Sequence, residues 1–230
     1  MNNNLANIKK SIFFLNKNEC VAIPTETVYG LAANAYSSKS VKKIYTLKKR
    51  PRNNPSIVHY SSLNQLKKDC ELNKNFLILY KKFCPGPITF ILKLKKKSRI
   101  SKIVTNRKKI VAVRFPKNHL TQKLLRTLSY PLAAPSANIS TNISPVSAED
   151  VEEEFGKKIK FILNGGKTKI GLESTIVNLT GKPEILRHGG IELEKISKVL
   201  KKKIKFKSKK NKTKVPGQNK VHYSPHIPIR

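Results

Sequence analysis

The sequence predicts a single α/β or α+β domain followed by an extended C-terminal tail. Strand-like and helix-like segments interleave over the first ~200 residues instead of separating into blocks. Apolar runs such as Phe76-Leu77-Ile78-Leu79 and Ile88-Thr89-Phe90-Ile91-Leu92 recur, which excludes disorder throughout. The 230 residues suit one large domain or two small ones, with ample material for a core.

The elements follow in order. Residues 5–15 carry apolar side chains at 5, 8, 12 and 15, a helical spacing. Residues 20–23 read as a short strand stopped by Pro24. Residues 40–47 read as a helix with Val41, Ile44 and Leu47 on one face, and 57–60 as a strand. Residues 75–83 look helical until Pro85-Gly86-Pro87 breaks the pattern. Residues 88–94 and 110–115 alternate like strands, and 120–128 look helical. Ser147, with Asp150 ahead of Val151, marks an N-cap and an acidic first turn. Residues 161–163, 174–179 and 184–186 read as strands, and 191–200 as a last helix. The domain is therefore expected over 1–200. Residues 201–214, KKKIKFKSKKNKTK, offer almost nothing to bury and read as a flexible linker. Residues 215–230, VPGQNKVHYSPHIPIR, hold three prolines and read as a semi-rigid extended tail.

Forty-eight basic residues against 13 acidic ones give a formal net charge of +35. That points to a polyanionic partner such as nucleic acid, a nucleotide or an acidic surface. Yet 40 of the cations are Lys and 8 are Arg, and Asn occurs 20 times, the drift an A+T-rich coding sequence produces at solvated positions. Charge alone identifies no function, because phosphate recognition needs a localised patch. Cys20, Cys70 and Cys84 lie far apart without a CxxC pair, which argues against a disulfide framework and a cysteine zinc site. No histidine pair has HExxH-type spacing, so no protein-bound metal is expected. No stretch approaches ~18–20 uninterrupted apolar residues, and the N-terminus lacks a signal-peptide core. A cytoplasmic protein without membrane contact is expected.

Four segments carry more polar and turn chemistry than a core needs. Residues 24–31, PTETVYGL, put two hydroxyls and a carboxylate beside a flexible Gly; their plain structural reading is a capped turn. Residues 48–55, KKRPRNNP, concentrate four cations at a helix end, where the helix dipole already favours them. A phosphate clamp explains the following prolines and asparagines better. Residues 133–140, AAPSANIS, allow a ligand close to the backbone while Ser136 and Asn138 supply polar contacts, or form a Ser/Asn turn. Residues 171–178, GLESTIVN, bring a hydroxyl pair into a strand, or reflect simple β propensity.

Together with CPGPITFIL, VAVRFP and ILRHGG, these stretches closely resemble the YrdC-like family, the threonylcarbamoyl-AMP synthases that serve tRNA modification. The matches span 24–190. The resemblance implies an α/β fold, a single YrdC-like domain with a twisted mixed sheet flanked by helices. It implies a nucleotidyltransferase that forms L-threonylcarbamoyladenylate and pyrophosphate from L-threonine, bicarbonate (or CO2) and ATP, with Mg2+ accompanying the ATP. A downstream threonylcarbamoyl transferase complex would use the product, and tRNA or other RNA could touch the basic surface. The sequence departs from the family pattern in three places: Lys49 stands where KGRP has Gly, Asn178 where STIVD has Asp, and Ile110 where a Thr is usual.

By the same resemblance, Lys48 and Arg50 match the basic pair at the phosphates, with Ser136 and Asn138 facing them. Asn54, Ile110, Ser144, Arg187 and Tyr223 match further ATP contacts. Thr27, His59, Arg114, Ala134 and Ser174 match positions around L-threonine, with Arg114 as the carboxylate partner and Ala134 offering its backbone. The tail VPGQNKVHYSP resembles the interdomain linker of the family's longer form, whose small C-terminal domain has no counterpart before Arg230. As a lid, residues 215–230 would close over the site. The rival reading is a non-catalytic RNA-binding module of the same fold.

Overall fold

The apolar runs become the strands of one mixed sheet in the computed structural model, which describes residues 2–206. In chain order the described elements are α1 (Asn2–Asn16), β1 (Val21–Ile23), β2 (Gly30–Asn34), α2 (Ser38–Leu47), β3 (Ile57–His59), α3 (Leu63–Asp69) and α4 (Lys74–Phe83). Next come β4 (Ile88–Lys93), β5 (Ile110–Arg114), α5 (His119–Thr127), β6 (Leu132–Ala133), α6 (Ala148–Phe155) and a 3-10 turn (Gly156–Lys158). The rest are β7 (Phe161–Ile162), β8 (Thr175–Asn178), β9 (Glu184–Arg187), α7 (Leu193–Leu200) and β10 (Lys205–Phe206). Across the sheet the order is β10-β9-β8-β4-β5-β3-β6-β2-β1-β7. β3 and β5, β4 and β8, β1 and β7, and β9 and β10 run parallel.

Capping side chains start the helices, at Ser147 where the sequence marks a cap and at four further positions. Ser37, Ser62, Asn73 and Asn118 each accept a backbone N–H from the first turn of α2, α3, α4 and α5. Ser147 and Asp150 form a reciprocal capping box on α6. Each such cap is worth about 1 kcal/mol.

Side-chain alternation sorts the strands onto two faces. Val58, Tyr60, Phe90, Leu92, Val111 and Val113 point to one side and pack against Val41, Ile44, Phe76, Leu79, Ile196 and Leu200 from the helices. On the other side, α1 and α5 cover only the β1–β2–β6 half, through residues such as Leu15, Leu120 and Leu124. The remaining half holds Ile57, Ile91, Ala112, Ile176 and Leu186, and no described helix contributes a residue to it. With period two along a strand, His59 must point opposite to Val58 and Arg114 opposite to Val113. Both therefore emerge on that helix-free half, side by side, because His59 pairs in register with Arg114.

The structure moves one domain boundary. The Lys-rich linker expected from residue 201 does not begin there. Lys201 caps α7 in the left-handed region (φ 51), Ile204 is buried, and Lys205–Phe206 pair with β9. The Phe206 ring stacks on His188 with centroids 4.5 Å apart. Two apolar residues among four lysines suffice, since lysine heads reach water while their neighbours pack. The tail reading for 215–230 lies outside the described residues. β2 and α3, absent from the sequence reading, occupy 30–34 and 63–69.

Gly189 ties this fold to the site. A Cβ there would lie 2.2 Å from the Glu173 carbonyl oxygen and 2.5 Å from the Ser174 carbonyl carbon. Gly189→Ala must push the start of β8 away, at a cost of roughly 1–3 kcal/mol. The expected result is a lower urea midpoint with an unchanged m-value.

Candidate active site

Four loops meet at the edge of the helix-free half and enclose a cavity of about 60 Å³. The 24–29 loop is tied down at its C-terminal end. Tyr29 N–H donates to the Pro145 carbonyl (2.9 Å), Leu31 N–H to Pro135 (2.8 Å), and Ala137 N–H to Tyr29 (2.8 Å). Inside the loop, Thr25 Oγ1 donates to the Val28 carbonyl at 2.6 Å and accepts from the Thr27 and Val28 amides. At Gly30 an added Cβ would sit 3.3 Å from the Ala134 Cβ, so only a small residue lets this loop lie against 134–136.

The cationic wall comes from the end of α2. Lys48 is buried, and its Nζ donates to the Ser136 carbonyl (2.7 Å), the Asn138 carbonyl and Asn138 Oδ1 (3.3 Å). An ammonium has three protons, and three oxygens take them. Lys48 thus holds the 136–138 backbone in place. Burial, then the neighbouring Arg50, push its pKa well below the usual lysine value, while Glu154 acts the other way. Arg50 donates from Nε to the Asn54 carbonyl and from Nη2 to Asn54 Oδ1 and the Pro55 carbonyl. Burial chiefly, with Arg187 adding, lowers it to about 10. Ser136 Oγ donates to Asn138 Oδ1 at 2.6 Å.

The opposite wall rests on a buried ion pair. Arg114 Nη2 donates to Glu26 Oε1 at 2.8 Å, and Glu26 Oε2 accepts from the Lys117 amide at 2.8 Å. Burial raises the Glu26 pKa, but the Arg114 guanidinium and the backbone donors outweigh it and leave the carboxyl below the usual range. Beside the pair, burial and then the Arg114 charge push His59 down to about 3, so the imidazole is neutral. Two buried atoms of this wall, His59 Nδ1 and Arg114 Nε, have no hydrogen-bond partner among the described residues. Ser174 Oγ and Thr89 Oγ1 share a hydrogen bond of 2.7 Å, and Arg187 donates to the Ser174 carbonyl.

Of the residues singled out from sequence, Lys48, Arg50, Asn54, His59, Arg114, Ala134, Ser136, Asn138, Ser174 and Arg187 line this one cavity. Thr27 does not; it lies fully buried behind Thr25, hydroxyl to hydroxyl at 2.8 Å. Ser144 lines an adjoining hollow and donates to Glu173 Oε1 at 2.6 Å. Ile110 shares the Arg114 face of β5 but sits at its far end, roughly 13 Å away by strand rise, packed on the apolar cluster. Tyr223 lies outside the described residues. Thr25, Tyr29, Glu173 and Ser140 line the cavity without having been picked out; each lies inside a segment already noted for its chemistry. Glu26 is the carboxylate already noted in the 24–31 segment, but nothing in the sequence paired it with Arg114, 88 residues away.

Two departures from the family pattern find physical accounts. Asn178 Oδ1 accepts from Thr180 N–H and Oγ1, so an amide serves where a carboxylate is usual. Lys49 adopts φ 47, the left-handed region that the usual Gly occupies freely.

The fold and cavity define an α/β domain with a cationic cleft next to a buried guanidinium. The Sua5/YciO/YrdC family model, described as telomere recombination, matches residues 14–189. The chain belongs to this family. It is 41% identical to the threonylcarbamoyl-AMP synthase of Pyrococcus abyssi over 94% of this chain and 65% of the relative. It is 34% identical to a putative threonylcarbamoyl-AMP synthase of Methanocaldococcus jannaschii over 83% of this chain and 91% of the relative. A crystal structure of P. abyssi Sua5 complexed with L-threonine superposes with a TM-score of 0.89 at 41% identity, covering 95% of this chain and 65% of that one. The chain thus spans 65% of the length of the P. abyssi relative.

The neutral His59 has a consequence for stability. Unfolded, it titrates near 6.5; folded, near 3. Below 6.5 the unfolded state binds a proton that the folded state does not, so stability falls as pH drops from 6.5 towards 3 and is fully present above 6.5. Chemical unfolding across that window is expected to show the slope in the wild type and a flatter one in His59→Asn.

Proposed function

We propose that this chain is a threonylcarbamoyl-AMP synthase. It joins L-threonine, bicarbonate (or CO2) and ATP into L-threonylcarbamoyladenylate and pyrophosphate. The product serves a downstream transferase complex that modifies the adenosine 3′ of the anticodon in tRNAs reading ANN codons. One observation carries the reading. His59 Nδ1 and Arg114 Nε are buried, adjacent and unpartnered in a cleft whose other wall is cationic. Buried polar groups are normally paired, so the pair awaits a ligand. An amino-acid carboxylate fits Arg114, and a neutral imidazole can accept from the amine or donate to the carboxylate according to its tautomer. The P. abyssi protein, whose structure was solved with L-threonine, supports the choice.

The chemistry is a meeting of anions. The threonine amine attacks CO2, forms the N–C bond and loses a proton, giving a carbamate. A carbamate oxygen then attacks the α-phosphorus, and the bond to the bridging oxygen breaks, with its electron pair leaving on pyrophosphate. Positioning and charge neutralisation dominate such transfers. Arg50 supplies the charge, Ser136 the hydroxyl, and Lys48 and Asn138 keep the 136–138 backbone in place. Thr89 and Ser174 can receive the substrate hydroxyl.

Among the described residues no three His, Cys, Asp or Glu cluster to hold a metal. The described cavity lining carries one carboxylate, Glu173. That fits Mg2+ arriving with the nucleotide, because such an ion needs one or two carboxylates besides phosphates and water. Its contribution would be neutralisation of the phosphate charge.

Pyrophosphate release with ATP and bicarbonate is expected only when L-threonine is present. Threonine-independent silence, with RNA binding retained, would favour the non-catalytic RNA-binding module. Arg114→Lys keeps the charge facing Glu26 but loses the planar fork. It is expected to weaken threonine about tenfold and leave ATP nearly unchanged by calorimetry. Arg50→Ala is expected to lower turnover by about tenfold or more, through loss of a charge-assisted phosphate contact.

A further inference from the structure

Behind Arg50 lies a second hollow of about 960 Å³, walled by the end of α2, the 49–52 turn and the 102–107 turn. Six of its ten lining residues are cations: Lys42, Lys49, Arg50, Arg52, Lys102 and Arg107. No carboxylate lines it among the described residues. Arg50 lines both this hollow and the cleft, so the two adjoin at that residue.

Drift of surface codons does not account for this wall. Drift supplies lysine, yet three of the chain's 8 arginines gather here. Lys49 (φ 47), Asn106 (φ 51) and Arg107 (φ 58) all sit in the left-handed region, where a side chain costs energy. The walls are also fastened together. Tyr45 Oη lies 2.9 Å from the Asn54 carbonyl and 3.3 Å from that of Ile103, and Ser56 N–H donates to the Val104 carbonyl at 3.0 Å.

We infer that this hollow is a second phosphate site, which takes the pyrophosphate leaving the cleft past Arg50. The inference rests on the proposed function, because that reaction generates pyrophosphate next to Arg50. Guanidinium forks bind phosphate oxygens in bidentate fashion, and a cluster of cations suits a compact polyanion. The alternative ligand, a nucleic-acid backbone, calls for a stripe of cations along a face, whereas these surround one hollow.

The test is calorimetric titration of inorganic pyrophosphate into the full chain, first saturated with L-threonine and a non-hydrolysable ATP analogue, at physiological salt. Pyrophosphate is expected to bind the loaded protein. Arg52→Gln and Arg107→Gln, both exposed, are each expected to weaken it by about tenfold while the analogue binds as before. Lys123→Gln, exposed on α5, is expected to change neither. Absence of pyrophosphate binding to the loaded chain, or binding that both arginine variants retain, overturns the inference. So does a single-stranded RNA that displaces pyrophosphate, binds at least about tenfold tighter and is lost in the same variants. Failure of the analogue itself to bind counts against the proposed function instead. Pyrophosphate binding to the unloaded chain, weakened by the two arginine variants, would then still uphold the hollow as a phosphate site.

Discussion

The Glu26–Arg114 ion pair is the constraint on which the cleft depends. It joins the loop after β1 to the end of β5, with both side chains buried. Removing two charges from water costs several kcal/mol per ion, and the pair recovers this only through good geometry and extra donors. The Lys117 amide on the second carboxylate oxygen is such a donor. Deleting one partner would strand the other, a loss of about 3–5 kcal/mol. The pair also engages Nη2 of Arg114 and leaves its buried Nε without a partner among the described residues.

Charge in the cleft is organised by burial as much as by composition. Lys48, Arg50 and Arg114 all line one cavity, where burial first, and then Arg50 at Lys48 and Arg187 at Arg50, make the first two harder to protonate. Backbone and amide oxygens compensate, three at Lys48 and three at Arg50. His59 meets the same field and stays neutral. A phosphate or carboxylate entering this space would relieve mutual repulsion that the empty protein tolerates, which is how a site gains affinity for an anion without adding further cations.

The total of +35 spreads unevenly over the fold. Residues 27–68 and 72–148 contain no Asp or Glu, whereas α6 alone carries five of the 13. The cleft lies between these regions. It shares Arg50 with the cationic hollow and Asn138 with a hollow lined by Asp150, Glu153 and Glu154. Glu154 reaches back to the Ile139 amide and the Asn142 side chain, so the acidic side also positions the 138–142 loop.

The sequence by itself determined the α/β class, most strands, most helices, the Ser147 cap of α6 and the four segments that build the cleft. These are local matters: alternation, capping residues and turn chemistry all act within a few positions. Family-specific runs such as KKRPRNNP and APSANIS then named ten residues that the structure gathers around one cavity. Only the tertiary structure could decide what depends on distant chain segments. Short strands such as β2 and β10 exist because a neighbour supplies their hydrogen bonds. Glu26 matters because β5 brings Arg114 to it, and Thr25 displaces Thr27 at the cleft because the loop turns on its own hydroxyl. Lys48 is a positioning group because three oxygens, about 90 residues away in sequence, converge on its ammonium. Long-range pairing of buried charge leaves no periodic trace in a single sequence, and that is why the roles within the cleft had to come from the fold.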